Sequence, residues 1–179
     1  MKILDSRWNT MTKMGNKWWL GGLVGLGILA GCSSGSATPQ SAPAPPTTTT
    51  TTIDPTVAAG ASYVSAFNTM NTASNDGITK QNTINSDPAG ATAGINEQIS
   101  ARQAFDTAVT AIVFPSAAQS DAQQVLSADA ALEQALGTLA VNTDNIANFN
   151  SVFATVTPAQ NAFTSANAAL SNDLGLKPG

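Results

Sequence analysis

Residues 144–174, DNIANFNSVFATVTPAQNAFTSANAALSNDL, decide the fold. Phe149, Val156, Phe163 and Leu170 recur every seven residues, with Ile146, Phe153 and Leu174 in the neighbouring phase, which is the stripe of an amphipathic helix. Most residues between these apolar positions are Asn, Ser, Thr and Ala, as expected of a face turned to water. Pro158 interrupts the run without disturbing its phase, and Thr157-Pro158-Ala159-Gln160 matches a capping box. The helix therefore either kinks at Pro158 or stops and restarts in line, and the intact phase favours the kink.

Working back from this helix, Asn142-Thr143-Asp144 reads as a break and restart, and so does Phe114-Pro115-Ser116. Asp54-Pro55 and Asp87-Pro88 each place an N-cap residue before a proline that fits the first helical position. Four helices follow, spanning about residues 55–84, 88–113, 116–140 and 144–174. The first offers Val57, Val64, Phe67, Met70, Ile78 and Ile84 to a core, but Gly77 and many polar residues weaken it, so it is continuous or in two pieces. The second offers Ile95, Ile99, Phe105, Val109 and Ile112, and the third Ala118, Ala122, Val125, Leu132, Leu136 and Leu139. No stretch alternates with period two, and no strand is expected.

Pairing the last two helices as antiparallel neighbours about Asn142 sets Leu136 against Phe149, Leu132 against Phe153 and small Ala122 against large Phe163. Such size complementarity suits interdigitated layers. Short connections give an all-α, antiparallel up-down-up-down bundle over residues 54–176. Residue 54, the Pro115 turn and the C-terminus then share one end, and the turns near Asp87 and Asn142 the other.

The N-terminal third differs in composition. Lys13 and Lys17 precede an apolar run of about a dozen residues, WWLGGLVGLGILA (18–30), too short for the ~20 residues that a membrane-spanning helix needs. It has the build of a secretory signal, with residues 1–31 as the leader and Met11 or Met14 as other candidate starts. It ends in Leu29-Ala30-Gly31-Cys32. This resembles the lipobox of bacterial lipoproteins, which implies cleavage before Cys32 and a diacylglycerol, with or without a further N-acyl chain, on the Cys32 thiol. Residues 33–53 hold Pro39, Pro43, Pro45, Pro46 and the unbroken run Thr47 to Thr52, and cannot bury an apolar face. With Cys32 they read as a lipidated, disordered tether, which at ~3.1 Å per residue could reach ~60 Å. Its threonines are candidates for O-linked sugar. The tether, the Phe-Pro turn and the closing Asp173-Leu174-Gly175-Leu176 are similar to small actinobacterial lipoproteins of mycobacterial type, a resemblance that names no activity. It implies a lipid anchor on the outer face of the cell membrane.

Function classes can be narrowed by composition. The chain carries one cysteine and no histidine, and beyond the leader only Lys80, Arg102 and Lys177 are basic, against ten acids. Disulfides within the chain, histidine-ligated zinc or haem, and Ser-His-Asp or Cys-His catalysis are excluded. The charge balance also disfavours a basic face for nucleic acid or anionic lipid headgroups. The carboxylates are spread along the helices, and neither a phosphate loop nor a dinucleotide fingerprint is present. No catalytic residue, metal ligand or cofactor is expected, only a partner such as an envelope protein or wall component, or an apolar molecule held between the helices. Two apolar stripes carry a charge, Arg102 on the second helix and Asp129 on the third, and reflection across the Pro115 turn sets them opposite each other. They form an expected half-buried ion pair that either fixes register or takes part in binding a ligand, with Asp106 as a competitor for Arg102. Asn71, Gln160 and Asn167 fall at core positions and need polar partners, while Tyr63 beside Phe67 reads as core.

Overall fold

A computed structural model describes residues 53–176. The leader, the lipobox residues Leu29, Ala30 and Gly31, the anchor Cys32 and the tether up to Thr52 lie outside the described residues. Four helices run Pro55–Gln81 (α1), Pro88–Thr110 (α2), Gln119–Ala140 (α3) and Ile146–Asp173 (α4). No strand is present among the described residues, and none of the described helices is long and apolar enough to cross a membrane.

Local chemistry explains where the helices begin. The Asp54 carboxylate accepts from the backbone N–H of Thr56 at 2.8 Å, and that of Asp87 from Gly90 at 2.8 Å, with proline in the first turn of each helix. α4 is capped one residue later than expected, because the Asn145 side chain accepts from both Ala147 and Asn148 at 3.1 Å. α3 starts at Gln119 rather than Ser116. The three residues after Pro115 form a turn, and no side chain caps the helix. α1 is one unbroken helix through Gly77, ending at Gln81 rather than Ile84, and α2 ends at Thr110 rather than Val113. α4 continues through Pro158, so that residue does not stop the helix. Proline has no N–H to give the Ala154 carbonyl, and the loss is tolerated on a side exposed to water.

α1 packs along α2, α2 against α3, and α3 along α4. Aromatic side chains link α4 back to α1, with Phe67 and Phe163 stacked at 6.4 Å between ring centroids. The hydroxyls of Thr92, early in α2, and Thr143, in the α3–α4 turn, lie 2.5 Å apart and mark one end of the bundle. At the other end, Gly60 of α1 faces Leu174 and Leu176. The order is therefore up-down-up-down.

All six residues of the third stripe are buried, Ala118 just before α3 among them, as are Phe149, Val156, Phe163 and Leu170 of α4 and Leu174 just after it. Val57 and Ile146 are not core residues, being 63% and 36% exposed. Each lies in the first turn of its helix, where the phase is right but the neighbouring helices leave it open to water. α1 and α2 meet most closely at Gly77 and Gly94. A Cβ on either would sit 2.4 Å from the other's carbonyl oxygen, so only glycine allows this approach. Beside it Gln98 Nε2 donates to Gln81 Oε1 at 2.6 Å within the buried interface.

Candidate functional site

Polar groups converge inside the bundle where α2 faces α3. Arg102 and Asp129 form a salt bridge, with relative exposures of 8% and 0%. The guanidinium is held from three sides. Asp129 Oδ1 accepts from Nη1, Gln160 Oε1 on α4 lies 3.5 Å from Nη2, and the Phe163 ring lies under the guanidinium carbon at 4.9 Å. Reflection across the Pro115 turn sets these two residues opposite each other, and the helices bring them together. Gln160 meets a charge rather than another core amide.

Asp106 stands one turn beyond Arg102, and Glu133 one turn beyond Asp129. One carboxylate oxygen from each of Asp106, Asp129 and Glu133 lies within 4.8 Å of the others. Asp106 lies beside Asp129 and does not displace it from Arg102, and the Gln103 side chain adjoins Glu133. Burial, reinforced by the charges of Asp129 and Glu133 and only partly offset by Arg102, pushes the Asp106 carboxyl up to about 7. Burial also raises Asp129, opposed by Arg102, and raises Glu133, helped by the charge of Asp129. A set of three carboxylates and one guanidinium can store or release a proton near neutrality. It could also attract a cation, but Arg102 already takes that role at Asp129.

An aromatic cluster adjoins this centre. Tyr63 is fully buried and its hydroxyl donates to Asn167 Oδ1 at 2.6 Å, which satisfies one of the polar core positions of α4. Its ring lies 5.9 Å from that of Phe105, which in turn lies 6.0 Å from Phe163. Burial, with the charge of Asp129, holds the phenol in its neutral form well above its ordinary range. A second feature lies on the outside, between α1 and α2 on the Asp54 side of their glycine contact. A groove of about 830 Å³, open to water, runs between Ala58, Ala61, Ser65 and Thr69 of α1 and Ala104 and Ala108 of α2.

Sequence reasoning missed the glycine crossing, Glu133 and the groove. Glu133 was detectable, since it lies four residues after Asp129 and so shares its face. The available sign of the crossing was a glycine on each of two adjoining antiparallel helices. Compared with known proteins, the chain matches no protein-family model, no curated protein and no solved structure.

Proposed function

We propose that the chain is a membrane-anchored lipoprotein of the cell envelope, whose helical bundle is a non-enzymatic binding or structural module. The observation that carries the anchor is the sequence Leu29-Ala30-Gly31-Cys32 directly after a short apolar run with lysines before it. Lipid on Cys32 would serve as the membrane partner, and two or three acyl chains on one residue suffice for stable attachment. The non-enzymatic reading is supported by the lack of histidine and by the use made of the buried charges. Arg102 and Asp129 are spent on each other inside the bundle, and neither faces an open cleft.

Metabolic labelling with an alkyne fatty acid tests the anchor. The wild-type chain should carry label and sediment with membranes, and Cys32→Ala should lose the label and keep its leader. An unlabelled, full-length wild-type chain in the cytosol would overturn the reading. For the binding role, in-cell crosslinking of the full chain should trap an envelope component, which mass spectrometry would identify.

A carrier of an apolar molecule is the second reading, favoured by one observation. The α1–α2 groove has the volume of an ordinary small-molecule site and an alanine-rich lining. The bundle interior supports it less, since the space between α1, α2 and α4 is taken by Tyr63, Phe67, Phe105 and Phe163. Co-purified lipid in native mass spectra, displaced by Ala104→Trp, is the expected sign of this role.

A further inference from the structure

We propose that Asp106, Asp129 and Glu133, gathered around Arg102, form a proton-operated latch between α2 and α3 that is tightest in mild acid and loosens towards neutral pH. The inference is independent of where the chain resides and of what the bundle binds.

Geometry carries the argument. Asp129 is completely buried, and with Oδ1 taken by Arg102 its second oxygen has no other donor to meet. Asp106 Oδ1 and Glu133 Oε1 are likewise buried atoms without a partner. The three carboxyls converge within 4.8 Å, and the cation supplied to them is Arg102, itself more than nine-tenths buried. One positive charge cannot balance three negative ones in a site so poorly hydrated. With their carboxylate oxygens this close and no other donor to meet the buried ones, a proton held between Asp106 and Asp129 would relieve their repulsion. Asp106, half-buried and without a direct bond to the guanidinium, is the natural holder of that proton. Asp129, bonded to Arg102, is the natural acceptor.

Among the described residues, nothing else around the site compensates the charge. α4 presents the neutral Gln160 amide and the Phe163 ring. α1 presents Tyr63, whose hydroxyl is neutral and already bound to Asn167. The Gln103 side chain on α2 adjoins Glu133 but brings no charge. Without a proton held between them, Asp106 and Asp129 are two like charges on facing helices, and they repel across the α2–α3 seam.

The sign of the pH effect follows. Burial, then the neighbouring carboxylates, hold Asp106 up to about 7 in the folded chain, whereas in the unfolded chain it ionises near ~4. From pH ~4 to ~7 the folded chain keeps a proton that the unfolded chain has lost, so stability falls as pH rises through that window and levels off above it. Glu133 and Asp129 act in the same direction.

Thermal melting of the full chain between pH 5 and 9 tests the latch. Wild type should lose about 5 °C or more between pH 5 and 8, and then stay level. Asp106→Asn keeps a donor to Asp129 without a charge. It should melt at or above wild type at pH 8 and show less than half the wild-type slope. Asp121→Asn, an acid outside the cluster, should leave the slope unchanged. A flat or rising wild-type profile, an unaltered slope in Asp106→Asn, or an Asp121→Asn slope as shallow as that of Asp106→Asn overturns the proposal. Should Asp106→Asn fail to fold, carboxyl carbon NMR of the wild type decides. A cluster carboxyl titrating above pH 6 is expected, and its absence overturns the latch.

Discussion

Gly77 and Gly94 touch backbone to backbone, each offering its carbonyl oxygen to the space where the other's Cβ would be. The contact sets how closely α1 can lie on α2 and seats the buried Gln81–Gln98 hydrogen bond beside it.

Gly77→Ala and Gly94→Ala should each destabilise the bundle by ~1–3 kcal/mol in urea titrations, the cost of forcing a packed interface apart exceeding the gain in helix propensity. Gly137→Ala is the matching control. It lies within α3 with nothing inside 4 Å of the new methyl, and it should stabilise by ~0.5–1 kcal/mol.

Arg102→Met should cost ~3–5 kcal/mol, because it leaves the carboxylate of Asp129 buried without its counter-charge. The double replacement Arg102→Met with Asp129→Leu should recover most of that loss. Chemical denaturation of the four variants of this cycle measures the coupling directly.

Tyr63→Phe removes one hydrogen bond from an otherwise unchanged ring cluster and leaves the Asn167 side-chain oxygen without its donor. A loss of ~1–2 kcal/mol is expected. Asn167→Leu in the Tyr63→Phe background should reverse part of it, as read by the shift in urea midpoint.

Pro158→Ala should raise stability by ~1–2 kcal/mol. The helix already runs through this exposed position, so the replacement restores a backbone bond to Ala154 without moving Val156 or Phe163. Part of the gain is offset by the greater freedom of the unfolded chain. Differential scanning calorimetry of the two proteins would show the change.

Much of this architecture is written in short-range chemistry. Asp54-Pro55 and Asp87-Pro88 mark helix starts because cap and proline act within one turn, and the seven-residue rhythm from Phe149 to Leu170 identifies a buried face by itself. The same periodicity set Arg102 opposite Asp129, since reflection across a short turn conserves helical phase. Where helices end was less legible. Val57, Ile112, Val113 and Ile146 keep an apolar rhythm at the margins of the bundle, yet Val113 is 88% exposed and Ile112 lies beyond the last turn of α2. Hydrophobicity records what could be buried, and only the neighbouring helices determine what is. Gly77 read as a weak point in α1 because a glycine's value depends on the helix that crosses it. Glu133 reads as an ordinary helix-surface acid for the same reason, since its proximity to Asp106, read only as a competitor for Arg102, arises from the pairing of two helices.

Gly60 sits beside Leu176, so the described chain closes on itself within about two turns of where α1 begins. Circular permutants that join these ends through a brief glycine linker and open the chain at the Thr143 turn should thus retain the same assembly. Any reporter fused behind the last helix would crowd the N-terminal exit and spare the opposite pole.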